Sequence, residues 1–226
     1  MNDTPLAERQ ARLQQRILAA VHAAGRRPED VHLLAVSKHQ PVDSLRALYT
    51  LGQRHFGENY VQEALAKQQE LSDLSELVWH FIGPLQRNKT AWVAEHFSWV
   101  HSLDRLILAQ RLSDQRGEDL PPLQVCLQVN ISAEASKSGC SVAALPELAA
   151  AVAALPRLQL RGLMALPAPG DDDAFRRLAA AQAELVHCGH ALDTLSMGMS
   201  DDLEAAIAAG ANWVRIGSAL FGPRKA

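Results

Sequence analysis

The sequence predicts an α/β fold: a (β/α)8 TIM-type barrel with an extra N-terminal helix. Two features carry the prediction. Eight short apolar, β-branched runs alternate with seven Ala/Leu-rich amphipathic stretches, and regular alternation of this kind gives a parallel sheet that closes when eight units are present. The length, 226 residues, suits one barrel-sized domain spanning 1–226, because such barrels run to about 200–250 residues as single units. An open doubly wound sheet is the competing architecture. It is disfavoured because the first strand–helix turn, SKHQPVDS, has no glycine-rich dinucleotide fingerprint.

In chain order, residues 4–24 read as an amphipathic helix, with Thr4 as cap, Pro5 in the first turn and an apolar stripe of Leu6, Leu13, Ile17 and Val21. Gly25 and Pro28 end it. The strands are expected at Val31–Ser37, Arg54–Gly57, Val78–Ile82, Ser98–His101, Leu123–Asn130, Leu158–Met164, Thr194–Met197 and Trp213–Ile216. Helices are expected near 42–51, 60–71, 87–95, 104–116, 142–154, 172–187 and 201–209. The sequence stops soon after the eighth strand, so the usual last helix is expected to be missing, with the N-terminal helix in its place.

Composition narrows the functional classes. The net charge is −3, from 22 Lys and Arg against 25 Asp and Glu, so no basic excess draws the chain to nucleic acid or anionic membrane. Three cysteines, Cys126, Cys140 and Cys188, lie far apart with no C-x-x-C. That argues against a disulfide framework or a structural zinc site. No apolar run reaches the roughly 18 residues of a membrane span, and the N-terminus lacks a signal peptide's apolar core. A cytoplasmic location is expected.

Barrel active sites lie at the C-terminal ends of the strands, so the strand exits are where chemistry is sought. Strand one exits into Ser37-Lys38. A partly buried lysine is a better nucleophile toward carbonyls, although a lysine simply reaching solvent is the commoner case. Strand two exits into Glu58-Asn59-Tyr60, where Asn59 either faces a ligand or caps the next helix. Strand three carries His80, read as a satisfied core histidine, and exits through a Gly83-Pro84 turn read as punctuation. Strand five leads to a small polar segment containing Ser136, Lys137, Ser138 and Gly139, either a closing loop or ordinary surface. Strands seven and eight carry the strongest pattern. Ser200 is a candidate N-cap beyond Met199, and Arg215 is followed by Gly217 and Ser218. These last two loops are where barrels commonly hold phosphate. Arg215 and Gly217 share a strand face; an inward Arg215 would be a buried guanidinium needing a partner. Asp201 and Asp202 argue against phosphate here unless they point away.

Taken together, LLAVSK, HFGENYVQE, WHFIGPLQRNK, VNIS…SKSG, GLMA, LSMGMSDDLEAAIAAG and VRIGSALFG resemble the pyridoxal 5′-phosphate (PLP) homeostasis protein family. Its barrel is similar to the N-terminal domain of alanine racemases, fold type III. The resemblance covers about residues 31–222. It implies PLP as cofactor, bound covalently as a Schiff base on Lys38, with Asn59 beside it. It also implies phosphate contacts from Ser200, Gly217 and Ser218, Met199 in the same pocket, and Arg215 near the pyridine nitrogen. Two departures stand out: His39 and Gln40 replace a threonine and a second lysine common in the family, whereas Lys137 matches its loop lysine. Ser218 stands where threonine is common. The implied function is a non-catalytic, monomeric PLP carrier in intracellular PLP homeostasis, with PLP-dependent apo-enzymes as recipients and no metal. A racemase-like PLP enzyme is the alternative. It is disfavoured because such enzymes use a further β-domain and a second catalytic base, and neither is evident here. An aldolase-like Schiff-base enzyme would need an acid–base pair that the sequence does not single out.

Overall fold

The computed structural model describes residues 5–134 and 137–222. Eight parallel strands close into a barrel in sequential order. They are β1 His32–Val36, β2 His55–Glu58, β3 Val78–Phe81, β4 Trp99–Leu103, β5 Leu123–Val129, β6 Leu158–Ala165, β7 Thr194–Ser196 and β8 Trp213–Ile216. The closing pair joins β1 to β8, from His32 opposite Trp213 to Ala35 opposite Ile216. The expected barrel with its N-terminal helix is therefore present. So are the expected strands, with ends displaced by a few residues. The largest displacement is at β4, which runs to Leu103 past an irregularity in its pairing with β5.

The helices are α1 Leu6–Ala23, α2 Val42–Thr50, α3 Val61–Glu70, α4 Thr90–His96, α5 Leu106–Gln115, α6 Leu145–Ala153, α7 Ala174–His187, α8 Leu203–Ala208 and α9 Ser218–Phe221. Most of the core lies between barrel and helices. Leu45 and Leu48 of α2, Leu108 and Leu112 of α5, and Leu178 of α7 are wholly buried there. The barrel interior differs from the branched aliphatic filling usual in this fold. It holds a separate small cluster of Trp99, Cys126 and Met164, together with the imidazoles of His80 and His101, both fully buried.

α1 turns Leu13, Ile17, Ala20 and Val21 inward, as its stripe predicts. Its expected cap, Thr4, lies outside the described residues. α1 packs on α8, α9 and α2, and Arg9 Nε donates to the Leu220 carbonyl at 2.9 Å. The sequence reading omitted α9, a single turn directly after β8. It is too short for periodicity to reveal. All three cysteines are unpaired.

Candidate functional site at the C-terminal mouth of the barrel

A cavity of about 300 Å³ opens at the C-terminal mouth. Lys38, Asn59, Met199, Ser200, Arg215, Gly217 and Ser218 all line it, with Arg215 the deeply buried member. The strand exits marked in the sequence thus converge on one place. The pocket also draws in Gln40, Ile82, Met164 and Leu166. These apolar and amide side chains had no signal of their own in the sequence.

The turn that presents Lys38 is held from behind by a buried ionic cluster. The Ser37 hydroxyl donates to Glu58 Oε1 at 2.7 Å. Lys67 Nζ, on the last turn of α3, donates to the Ser37 carbonyl (2.6 Å), Glu58 Oε1 (2.8 Å) and Glu63 Oε1 (2.6 Å). The His39 amide donates to the same Glu63 oxygen, and His39 adopts a left-handed φ of 62°. A non-glycine residue holds that conformation only where its surroundings over-determine it. Burial pushes the Glu58 carboxyl up, against the opposing pull of Lys67 and Ser37. Lys38 itself is half-buried, the environment that favours an amine nucleophile.

Asn59 does not cap α3; Tyr60 holds that position, with no side-chain bond. The capping reading of Asn59 does not hold, and its Oδ1 is buried with no hydrogen-bond partner among the described residues. The Gly83-Pro84 turn is more than punctuation. A Cβ on Gly83 would lie 2.1 Å from the Asn59 carbonyl oxygen, so glycine is what lets the β3 exit approach the Asn59 backbone. Ser102 Oγ fixes the same turn, donating to the Gly83 carbonyl at 2.6 Å.

The β7 loop corrects one expectation. Ser200 is not the N-cap of α8. Asp202 occupies that position, and its Oδ1 accepts the Met199 amide at 2.6 Å, so residues 199–202 form a turn and the helix starts later than expected. The Ser200 hydroxyl is thereby left on the pocket wall, 3.4 Å from that of Ser218. Asp202 is engaged in its turn, while Asp201 sits on the pocket rim. Arg16 of α1 holds the loop from outside, donating to the Ser200 carbonyl at 2.7 Å and pairing with Glu204. Sequence reasoning missed Arg16, because nothing local to α1 says what crosses it. Met199 is 42% exposed at the mouth.

Arg215 points inward and is 5% exposed. Its guanidinium donates to the Ser196 carbonyl, to Ser196 Oγ at 2.9 Å and to the Ala165 carbonyl at 2.8 Å. Its contacts are neutral acceptors rather than a carboxylate. Burial brings its pKa down to about 10, which leaves it charged at neutral pH. On the β5 loop, Asn130 Nδ2 donates to the Glu134 carbonyl, and Lys137 pairs with Glu134 and donates to the Pro167 carbonyl at 2.9 Å. The loop is strapped to the barrel at these points; Ser136 lies outside the described residues.

The residues fit PLP. A half-buried amine, a buried cation and two adjacent hydroxyls beside a glycine backbone match an aldehyde, a pyridine ring and a phosphate. The unpartnered Asn59 oxygen leaves polar capacity for a ligand. A Cβ at Gly217 would meet only Val36, at 3.6 Å, so the glycine keeps that wall open.

The model of the alanine racemase N-terminal domain matches residues 9–225, which defines the class: an alanine-racemase-type α/β barrel. The chain belongs to the pyridoxal phosphate homeostasis protein family. It is 60% identical to the pyridoxal phosphate homeostasis protein of Pseudomonas aeruginosa over 221 residues, covering 97% of this chain and 96% of that one. It is 54% identical to the Escherichia coli protein of the same name, covering 99% and 98%. Among solved structures, PipY of Synechococcus elongatus with PLP bound superposes with a TM-score of 0.84 at 40% identity, covering 96% of this chain and all of that one. Alanine racemase of Corynebacterium glutamicum shares the fold alone, with a TM-score of 0.68 at 17% identity. This chain covers 61% of that enzyme.

Proposed function

We propose that this protein binds PLP at the C-terminal mouth of its barrel, covalently through Lys38, and acts as a carrier in intracellular PLP homeostasis. The observation that carries the reading is the convergence of Lys38, Arg215 and the paired Ser200 and Ser218 hydroxyls on one cavity. The family supports it, since its members bear that function in their name. So does PipY, solved with PLP bound.

When bound, the cofactor supplies an electrophilic aldehyde and an electron-withdrawing ring. Everything else falls to the protein. Lys38 would supply the neutral amine that holds the aldehyde carbon, with the aldehyde oxygen leaving as water. Ser200 and Ser218 donate to phosphate oxygens, and Gly217 lets those oxygens approach the backbone. Asn59 and Met199, which line the same cavity, would lie beside the bound cofactor. Arg215 would lie near the ring nitrogen and would keep it unprotonated, since a cation disfavours a like charge beside it. An unprotonated ring is a poor electron sink, which suits holding the cofactor better than turning over amino acids.

The remainder of the proposal extends the family's named role to the whole chain. Residues 1–226 act as one cytoplasmic, monomeric domain that passes PLP to apo-enzymes. Lys137 is committed to Glu134 and the Pro167 carbonyl, and His80 to the barrel interior, so neither is placed as a second catalytic base. The test is to incubate PLP-loaded protein with L-amino acids and follow D-isomer, amine and keto-acid formation. The carrier reading expects no substantial turnover. Turnover on the order of 1 per second, abolished in Lys38→Ala, would replace it with the racemase-like reading.

A further inference from the structure

A line of side chains crosses the barrel interior from its N-terminal floor to the cavity. His55 on β2 lies at a floor cavity that it lines with His32 and Arg54. His55 Nδ1 is 3.0 Å from His80 Nε2, His80 Nδ1 is 2.9 Å from His101 Nε2, and His101 Nδ1 is 2.7 Å from Ser196 Oγ. Ser196 Oγ also accepts from Arg215, which lines the upper cavity. Trp99 stacks on His80 and Trp213 packs against both His80 and His55, so the line is walled by indoles. Cys126 is also buried in the interior.

The donor inventory gives this line one direction. A guanidinium only donates, so Ser196 Oγ is an acceptor toward Arg215. The hydroxyl has one proton, and its remaining neighbour within bonding distance is His101 Nδ1. A buried hydroxyl proton left unused is costly, so it goes to that nitrogen. A neutral His101 then carries its proton on Nε2 and donates to His80. His80 in turn carries its proton on Nε2 and donates to His55. Burial supports the neutral form of all three rings. Reversing any one bond sets two donors or two acceptors face to face somewhere along the line.

We propose that Ser196, His101, His80 and His55 form a one-directional hydrogen-bond relay that fixes the Arg215 guanidinium in the cavity lining. They are positioning residues for the group that Arg215 faces. Under the reading above, that group is the PLP ring nitrogen. The orientation of Arg215 is thereby set along the whole depth of the barrel, and the floor cavity becomes a place from which the PLP site is adjusted.

The test uses nitrogen-15-labelled, cofactor-free protein at neutral pH. Long-range proton–nitrogen spectra distinguish the two neutral imidazole tautomers, and the Arg215 side-chain resonances report whether its guanidinium rotates freely. The relay requires the Nε2–H tautomer at all three histidines and a rotationally restricted Arg215. Ser196→Ala should lower the Nε2–H population at His55 as well as at His101, although His55 lies three hydrogen bonds away. His55→Leu, a change at the floor that spares the buried centre, should loosen the Ser196 Oγ contact and raise the side-chain mobility of Arg215, which keeps its bonds to the Ser196 and Ala165 carbonyls. In PLP titrations each variant should bind about tenfold more weakly, the loss of roughly one hydrogen bond, with a shifted absorption maximum. An Nδ1–H tautomer at any of the three rings overturns the relay. So does a Ser196→Ala effect confined to His101, or an unchanged Arg215 in His55→Leu. Failure of the unaltered protein to bind PLP would refute the cofactor reading instead, and the spectra of the cofactor-free protein would still decide the relay.

Discussion

Ser200 and Ser218 reach the cavity wall from two different loops, and their hydroxyls lie 3.4 Å apart. Each is expected to donate to the same phosphate. Replacing either by alanine should cost about 1.5–3 kcal/mol of PLP binding, the worth of a hydrogen bond to a charged group. Pyridoxal, which has no phosphate, should be nearly indifferent. Parallel titrations with the two compounds measure the difference, and equal losses would remove the phosphate role. At Arg215 the expectation is spectroscopic. Arg215→Glu should let the ring nitrogen take a proton and move the absorption of the bound cofactor. An unchanged spectrum in a folded, PLP-binding variant would mean that Arg215 does not govern that nitrogen. Residue identities at the strand exits were readable from the sequence because a barrel brings every exit to the same mouth. That rule marked Lys38, Asn59, Arg215 and Gly217 as candidates, and their roles came only from the family resemblance. The role of Ser200 was misread, because a serine before a helical pattern looks like a cap until Asp202 is seen in that position.

At the scale of elements, the loops are positioned by parts that contribute nothing to the cavity. Gly83 shows this most sharply, since a Cβ there would overlap the Asn59 carbonyl. Gly83→Ala should displace the β2 exit, lower the thermal midpoint and weaken PLP binding together. A variant with unaltered stability and affinity would show that the β3 turn moves freely. α1 acts on the β7 loop through Arg16, and Arg16→Ala is expected to weaken PLP binding with little loss of stability, because the Arg16 side chain is partly exposed and exposed pairs contribute little. Ile17→Ala, in contrast, removes a buried side chain and should cost about 2–5 kcal/mol in denaturant unfolding. Helix and strand positions followed from periodicity. The contacts of Arg16 did not, because its partners Ser200 and Glu204 lie 184 and 188 residues away.

For the molecule as a whole, the histidine-filled interior makes stability depend on pH. Burial lowers His55 from an ordinary 6.5 to about 4 and His101 to about 3, and lowers His80 as well. The folded state therefore keeps these rings neutral where the unfolded chain binds protons. Their contribution to stability is fully present above about 6.5 and is lost as pH falls toward 4 and then 3. The thermal midpoint should decline across that window, and His55→Leu should decline less steeply from 6.5 to 4. Equal slopes would mean that His55 is not held neutral. None of this was legible in the sequence beyond a core role for His80. His55, His80 and His101 are separated by 25 and 21 residues, and only the barrel's pairing register sets them side by side.

The proposed covalent attachment of PLP to Lys38 joins these scales, since the reading draws on the barrel, the clamped turn and the half-buried amine together. Its most direct test is to load the protein with PLP, reduce it with borohydride and map the modified peptide by mass spectrometry. The expected result is a single pyridoxyl-phosphate adduct on Lys38, absent from Lys38→Ala although that variant stays folded. An adduct of equal yield on Lys137 or another lysine, or none at all, would contradict the account.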